Sequence, residues 1–209
     1  MTPTESRLLL ADAGLTDLPP PYLFSTVRTN AWTDAEPAGR KHSLPLIVLS
    51  PGFGKPRSEL TGLAEDLASG GYVVVAIEHT YESVATTFPD GRVTTCVACE
   101  TPVRDPAFWR TVTQGRAADV SFVLDQLTGP HPQWNGAALI DPRRFGMSGQ
   151  PVGGAATQAT MVTDARVDAG IDVDGHTGLS RPFMFLGRGR TTSAPDCRPP
   201  ATGTATGHC

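Results

Sequence analysis

The sequence predicts an α/β domain with a mostly parallel sheet, and three observations carry that prediction. Short apolar runs at Pro45 to Ser50 (PLIVLS), Tyr72 to Ile77 (YVVVAI) and Pro182 to Leu186 (PFMFL) are continuous rather than alternating. Such runs suit strands covered on both faces. Helical patterns lie between them, and strand–helix alternation points to parallel pairing through crossovers. Finally, 209 residues at 39% hydrophobic content suffice for one domain with a sizeable core and fall short of two.

The elements follow in chain order. Tyr22 to Thr29 reads as an early strand, ahead of the run at Pro45 to Ser50. A helix is expected where Leu60, Leu63, Ala64 and Leu67 recur at i, i+3, i+4 and i+7, with Ser58 as cap and Gly70-Gly71 as stop. The Tyr72 to Ile77 strand comes next. Asp105-Pro106 is a cap followed by proline at the first helical position. It opens a long helix with the stripe Val112, Val120, Val123, Leu124 and Leu127, ended by Gly129-Pro130. Arg144 to Ser148 and Ala169 to Val173 are weaker strands, and a small-residue helix from Val152 to Val162 lies between them. From Arg188 to Cys209 there is no Leu, Ile, Val, Met, Phe, Tyr or Trp. That segment cannot bury enough apolar surface to offset its ordering entropy, so disorder is expected.

Charge and composition narrow the function. A formal charge of -4 argues against nucleic acid, which needs a basic face. No apolar run reaches bilayer length, and Leu8-Leu9-Leu10 is too short for a secretory core, so the default expectation is cytoplasmic. Cys96 and Cys99 form a C-x-x-C without the second pair that a zinc site needs, and a structural role is expected. No metal or organic cofactor is implied.

The chemistry sits in Ile140 to Ala156, IDPRRFGMSGQPVGGAA. A strand ends, a glycine-rich turn follows and a helix of small residues begins. That is the layout of a nucleophile elbow, G-x-S-x-G, whose tight turn demands very small neighbours two residues either side. Gly149-Gln150-Pro151-Val152-Gly153 supplies both elbow glycines but places proline at the centre. Proline has no hydroxyl, and its φ is fixed near −65°. Pro151 is therefore expected to relax the turn and open the following helix. Ser148 is the only nearby substitute nucleophile, but Gln150 two residues on crowds that register. The glycine-rich stretch lacks the lysine and spacing of a phosphate-binding loop.

Several stretches together resemble the platelet-activating-factor acetylhydrolase family (plasma, serine-esterase type) and bacterial lipase-like relatives, within the α/β-hydrolase superfamily. They are SPGFGKPRSELTGLAEDLASGGYVVVAIEHTYES, FPDGR, the Asp105-Pro106 helix, the elbow segment and DARVDAGIDVDG, spanning Val27 to Leu186. The resemblance implies a sheet with helices on both faces and an ancestral activity on carboxylic esters, small or lipid. It places the nucleophile position at Pro151 and the triad acid at Asp174, with Asp172 as a neighbour able to take either role. It places the oxyanion hole at the backbone N–H groups of Phe53 and Val152. The triad histidine should follow a further strand, and here only His208 lies beyond Leu186. His79 reads as a structural hydrogen-bonder, and His176 as a remote candidate for a substitute base. The domain is therefore expected to span 22–187 without its C-terminal strand and helix, after a partly disordered segment 1–21 and before a disordered tail 188–209. Activity is expected to be greatly reduced or nil, the alternative being a non-catalytic lipid- or partner-binding remnant. The resemblance also implies that relatives are often exported.

Overall fold

The computed structural model describes residues 1–15, 20–173 and 182–186. Asp174, His176, His208 and the tail therefore lie outside the described residues. The main elements are α1 (Pro3–Asp12), β1 (Leu44–Ser50), α2 (Thr61–Ser69), β2 (Val73–Ala76), β3 (Thr86–Thr87), β4 (Val93–Thr94), α3 (Pro106–Thr128), β5 (Ile140–Gly149), α4 (Val152–Thr163), β6 (Val167–Val173) and β7 (Phe183–Leu186).

Five strands form one parallel sheet in the order β2-β1-β5-β6-β7, and β3 and β4 make a separate hairpin. The chain leaves β1 toward β2, then returns to the other side of β1 to lay down β5, β6 and β7. The order reverses between β1 and β5, so a crevice is expected beyond the C-terminal ends of those two strands. Ser50, the last residue of β1, is in register with Gly149, the last of β5. Both segments that carry the suspected chemistry thus begin at the switch point.

The core explains the apolar runs. Leu46 and Val48 of β1, Phe145 and Met147 of β5 and Val167 of β6 pack with Val120 and Leu124 of α3 and Ala156 and Met161 of α4. α3 begins as its sequence requires, with the Asp105 carboxylate accepting from Phe108 N–H at 2.8 Å and proline in the first turn. Gly129 is its C-cap.

Two expectations are corrected. Tyr22 to Thr29 is not a strand: Leu23–Thr26 is a 3₁₀ turn in which Ser25 and Thr26 hydroxyls donate back to the carbonyls of Tyr22 and Leu23. Those local bonds satisfy backbone acceptors that a strand would have offered to a neighbour. Ser58 does not cap α2, because a 3₁₀ turn over Arg57–Leu60 intervenes and the helix starts at Thr61. Within the segment expected to be partly disordered, Pro3–Asp12 is helical. Its start carries a capping box, with Thr2 Oγ accepting from Glu5 N–H and the Glu5 carboxylate accepting from Thr2 N–H at 2.7 Å. Glu5 also accepts from Thr87 N–H at 3.0 Å, which ties α1 to the hairpin.

Candidate active site

Two loops face each other at the switch point. The first follows β1 as Pro51-Gly52-Phe53-Gly54. Gly54 has φ 77°, the left-handed region that glycine adopts without steric cost. It pairs with the loop after β2: Gly54 N–H donates to Glu82 O at 2.8 Å, and Val84 N–H donates to Gly54 O at 3.2 Å. The Phe53 ring packs edge-on to Phe108 at 5.2–5.8 Å together with Trp109, both near the start of α3. The Arg104 guanidinium lies over its face at 5.3 Å.

The second loop joins β5 to α4. Gln150 N–H reaches Ser50 O at 3.3 Å, and Gly153 N–H donates to Gln150 O at 2.8 Å. The elbow glycines are sterically required. A Cβ on Gly149 would collide with the backbone of Gly153, and one on Gly153 with the carbonyl of Ser50. A Cβ on Gly154 would strike the carboxylate of Asp172. Val152 is the first residue of α4. Pro151 is its N-cap, one residue before the first helical position where it was expected.

The other expected residues fall as follows. Ser148 lies inside β5, paired with Leu49 and Ile171 on either side, so its backbone belongs to the sheet and not to the turn. Asp172, at the end of β6, is fully buried and accepts from Gln158 Nε2 at 3.1 Å. Asp174 and His176 lie beyond the described end of β6. Cys96 and Cys99, in the turn after β4, form a disulfide.

A buried polar cluster under the first loop was not anticipated as a unit. His79 is 2% exposed and bonds to Ser50 Oγ through Nε2 at 2.9 Å and to Asp119 through Nδ1 at 2.7 Å. The carboxylate can only accept, so Nδ1 carries the proton and Nε2 accepts from the Ser50 hydroxyl. Burial pushes the His79 pKa down, against the pull of Asp119, so the ring is neutral near pH 7. This is the connectivity of a serine–histidine–aspartate relay. Ser50 is fully buried, however, and no ester can reach its oxygen.

Arg116 of α3 completes the cluster. It is 1% exposed and donates from Nε to Glu82 at 2.7 Å and from Nη1 to Pro51 O at 2.6 Å. Burial lowers its pKa, and Glu82 opposes that shift. The expectation for His79 as a structural hydrogen-bonder agrees with this geometry, whereas Arg116, Ser50, Asp119 and Glu82 were missed. One signal was available. Arg116 falls four residues after Val112 and four before Val120, a charge on the buried stripe of α3.

Residues 18–98 match the family described as platelet-activating factor acetylhydrolase, isoform II. An Arthroderma benhamiae protein named "Probable 1-alkyl-2-acetylglycerophosphocholine esterase" is 32% identical over 74% of this chain and 40% of its own length. The platelet-activating factor acetylhydrolase of Cavia porcellus is 24% identical over 84% of this chain and 47% of its own. The solved structure of a ferulic acid esterase from Streptomyces cinnamoneus superposes with a TM-score of 0.70 at 44% identity, covering 79% of this chain and 48% of that one. The chain thus spans less than half the length of these relatives. Among the described residues no helix is long and apolar enough to cross a membrane. The parallel sheet, the glycine-rich turn at its switch point and these matches agree: the chain has an α/β-hydrolase fold and is similar to the platelet-activating factor acetylhydrolase family.

Proposed function

We propose that this chain is an ester hydrolase by descent whose turnover is very low or nil because its elbow carries Pro151. The observation that supports this most directly is the turn itself. Its glycines keep the packing of an elbow, while its central residue has no atom able to attack a carbonyl. In an intact relative a serine at this position would attack the ester. The N–H groups of Phe53 and Val152 would receive the developing oxyanion, and Asp174 would orient the base. Without the nucleophile, what is left is the assistance of the oxyanion hole and of binding, about 10³–10⁴ over water in a well-studied serine protease.

The substrate class is a carboxylic ester. The relatives' names span glycerophosphocholine and ferulic acid compounds, so the acyl group is left open. Treatment with a fluorophosphonate probe, read by intact mass, is expected to leave the chain unlabelled. Covalent labelling of the natural chain that vanishes in Ser148→Ala overturns this reading. Saturable binding of a short-chain phospholipid without cleavage would mark the chain as the non-catalytic remnant.

The working compartment is proposed to be oxidising. The Cys96–Cys99 disulfide supports this against the cytoplasmic default, since such bonds persist where thiols are not kept reduced. Non-reducing peptide mapping of protein recovered from cells and from medium tests it. A free dithiol in both fractions would restore the cytoplasmic assignment.

A further inference from the structure

The cluster beneath the first loop contains groups that the ester chemistry does not use. Ser50 is sealed from solvent, so the relay it forms with His79 and Asp119 has no substrate to serve. What the cluster does touch is the backbone of the loop expected to hold the oxyanion. Arg116 Nη1 meets the carbonyl of Pro51 at 2.6 Å, and Nη2 faces that of Gly52 at 3.5 Å.

Those two contacts have a geometric consequence. A trans peptide is planar, with its C=O and the following N–H pointing in opposite directions. The described residues contain no cis peptide bond. A Pro51 carbonyl turned down onto Arg116 therefore turns the Gly52 N–H up. The Gly52 carbonyl does the same for the Phe53 N–H, and Lys55 N–H holds that carbonyl from a second direction at 3.2 Å. We propose that Arg116 is the positioning residue of the oxyanion loop, aiming the N–H groups of Gly52 and Phe53 at the ester site by holding the two carbonyls behind them. This rests on the reading of the Phe53 N–H as an oxyanion donor.

The guanidinium is itself fixed on its other edges. Glu82 grips Nε with its carboxylate and Gly54 N–H with its own backbone carbonyl, so one residue holds both the arginine and the far end of the loop. The Ser50 hydroxyl receives Nη1 at 3.4 Å and passes its own proton toward His79. The line from Arg116 Nη1 through the Ser50 hydroxyl and the His79 ring ends on the Asp119 carboxylate. A lysine offers a point charge and cannot reproduce the planar fork that reaches Glu82 and two carbonyls together.

The test measures N–H direction and needs no turnover. One-bond ¹H–¹⁵N residual dipolar couplings are recorded on the full ¹⁵N-labelled chain, on Arg116→Lys and on Glu82→Gln. In the natural chain the couplings of Gly52 and Phe53 are expected to fit N–H vectors pointing away from Arg116. In Arg116→Lys those two are expected to shift beyond the spread seen in β1 and β5, while the strand values stay. Glu82→Gln should shift the same two, by less, and it carries the test if Arg116→Lys fails to fold. Unchanged couplings at Gly52 and Phe53 in a folded variant overturn the proposal, as do natural-chain values that put the Phe53 N–H on the arginine's side. Fluorophosphonate labelling of the natural chain would sink the impaired-hydrolase reading and leave these couplings untouched, so the two failures are distinguishable.

Discussion

The loops that end β1 and β5 meet at one switch point with opposite endowments. The 51–54 loop is bonded on every side, to Arg116, to the Glu82–Val84 segment and to the aromatic start of α3. The 149–153 turn has the glycines that let it close, and its central residue, Pro151, carries no hydroxyl. The contrast teaches that the packing demands of an elbow are separable from its chemistry. Gly149 and Gly153 are held in place by backbone contact whatever residue sits between them.

The largest expected effect breaks the steric half of this comparison. Gly153→Ala drives a Cβ into the Ser50 carbonyl and should destabilise the fold by about 3 kcal/mol or more in urea unfolding, the upper range of overpacking. A near-neutral result would mean that the turn is not closed against β1. On the other side, the disulfide packs against the first loop, with Cys99 Sγ 3.7 Å from where a Cβ on Gly54 would lie. Its closed ring is short, so the double variant Cys96→Ser, Cys99→Ser should lose only about 2 kcal/mol by the chain-entropy relation.

The pH dependence sharpens the picture of the buried cluster. The folded pKa of His79 is depressed below the unfolded value, so the unfolded chain binds the extra proton first. The associated stability is present above about pH 6.5 and lost as pH falls through the folded value, at no more than about 1.4 kcal/mol per pH unit for one proton. Chemical denaturation between pH 7 and 5 should show this limb, and His79→Gln should flatten it. The smallest effect is a control on α3. Gly115 is exposed in mid-helix with open space around it, so Gly115→Ala should stabilise by about 0.5–1 kcal/mol and leave the loop unmoved.

The sequence was legible where one short-range pattern determined the outcome. Continuous β-branched and aromatic runs marked β1, β2 and β7, and Asp105-Pro106 marked the start of α3 to the residue. The glycine pair marked the elbow, because a turn that tight leaves no room for any other side chain. Reading failed where local hydroxyls competed for backbone acceptors, as at Ser25 and Thr26, and where a capping box preceded a weakly amphipathic helix, as at Thr2 and Glu5. It also failed at the cluster of Ser50, His79, Glu82, Arg116 and Asp119. These residues come from three separate stretches of chain, and only the sheet order brings them together. The one local hint was a cation on an otherwise apolar helical face.

α3 grips the first loop at two points, through the rings of Phe108 and Trp109 near its start and through Arg116 two turns further on. A surface connection of this kind ordinarily frays on its own, with amides that open at little cost. Here the connection cannot swing out without unseating the helix, so the two belong to one cooperative unit. In native-state hydrogen exchange, the amides of Gly54 and Lys55 should open with the same free energy as those in the middle of α3.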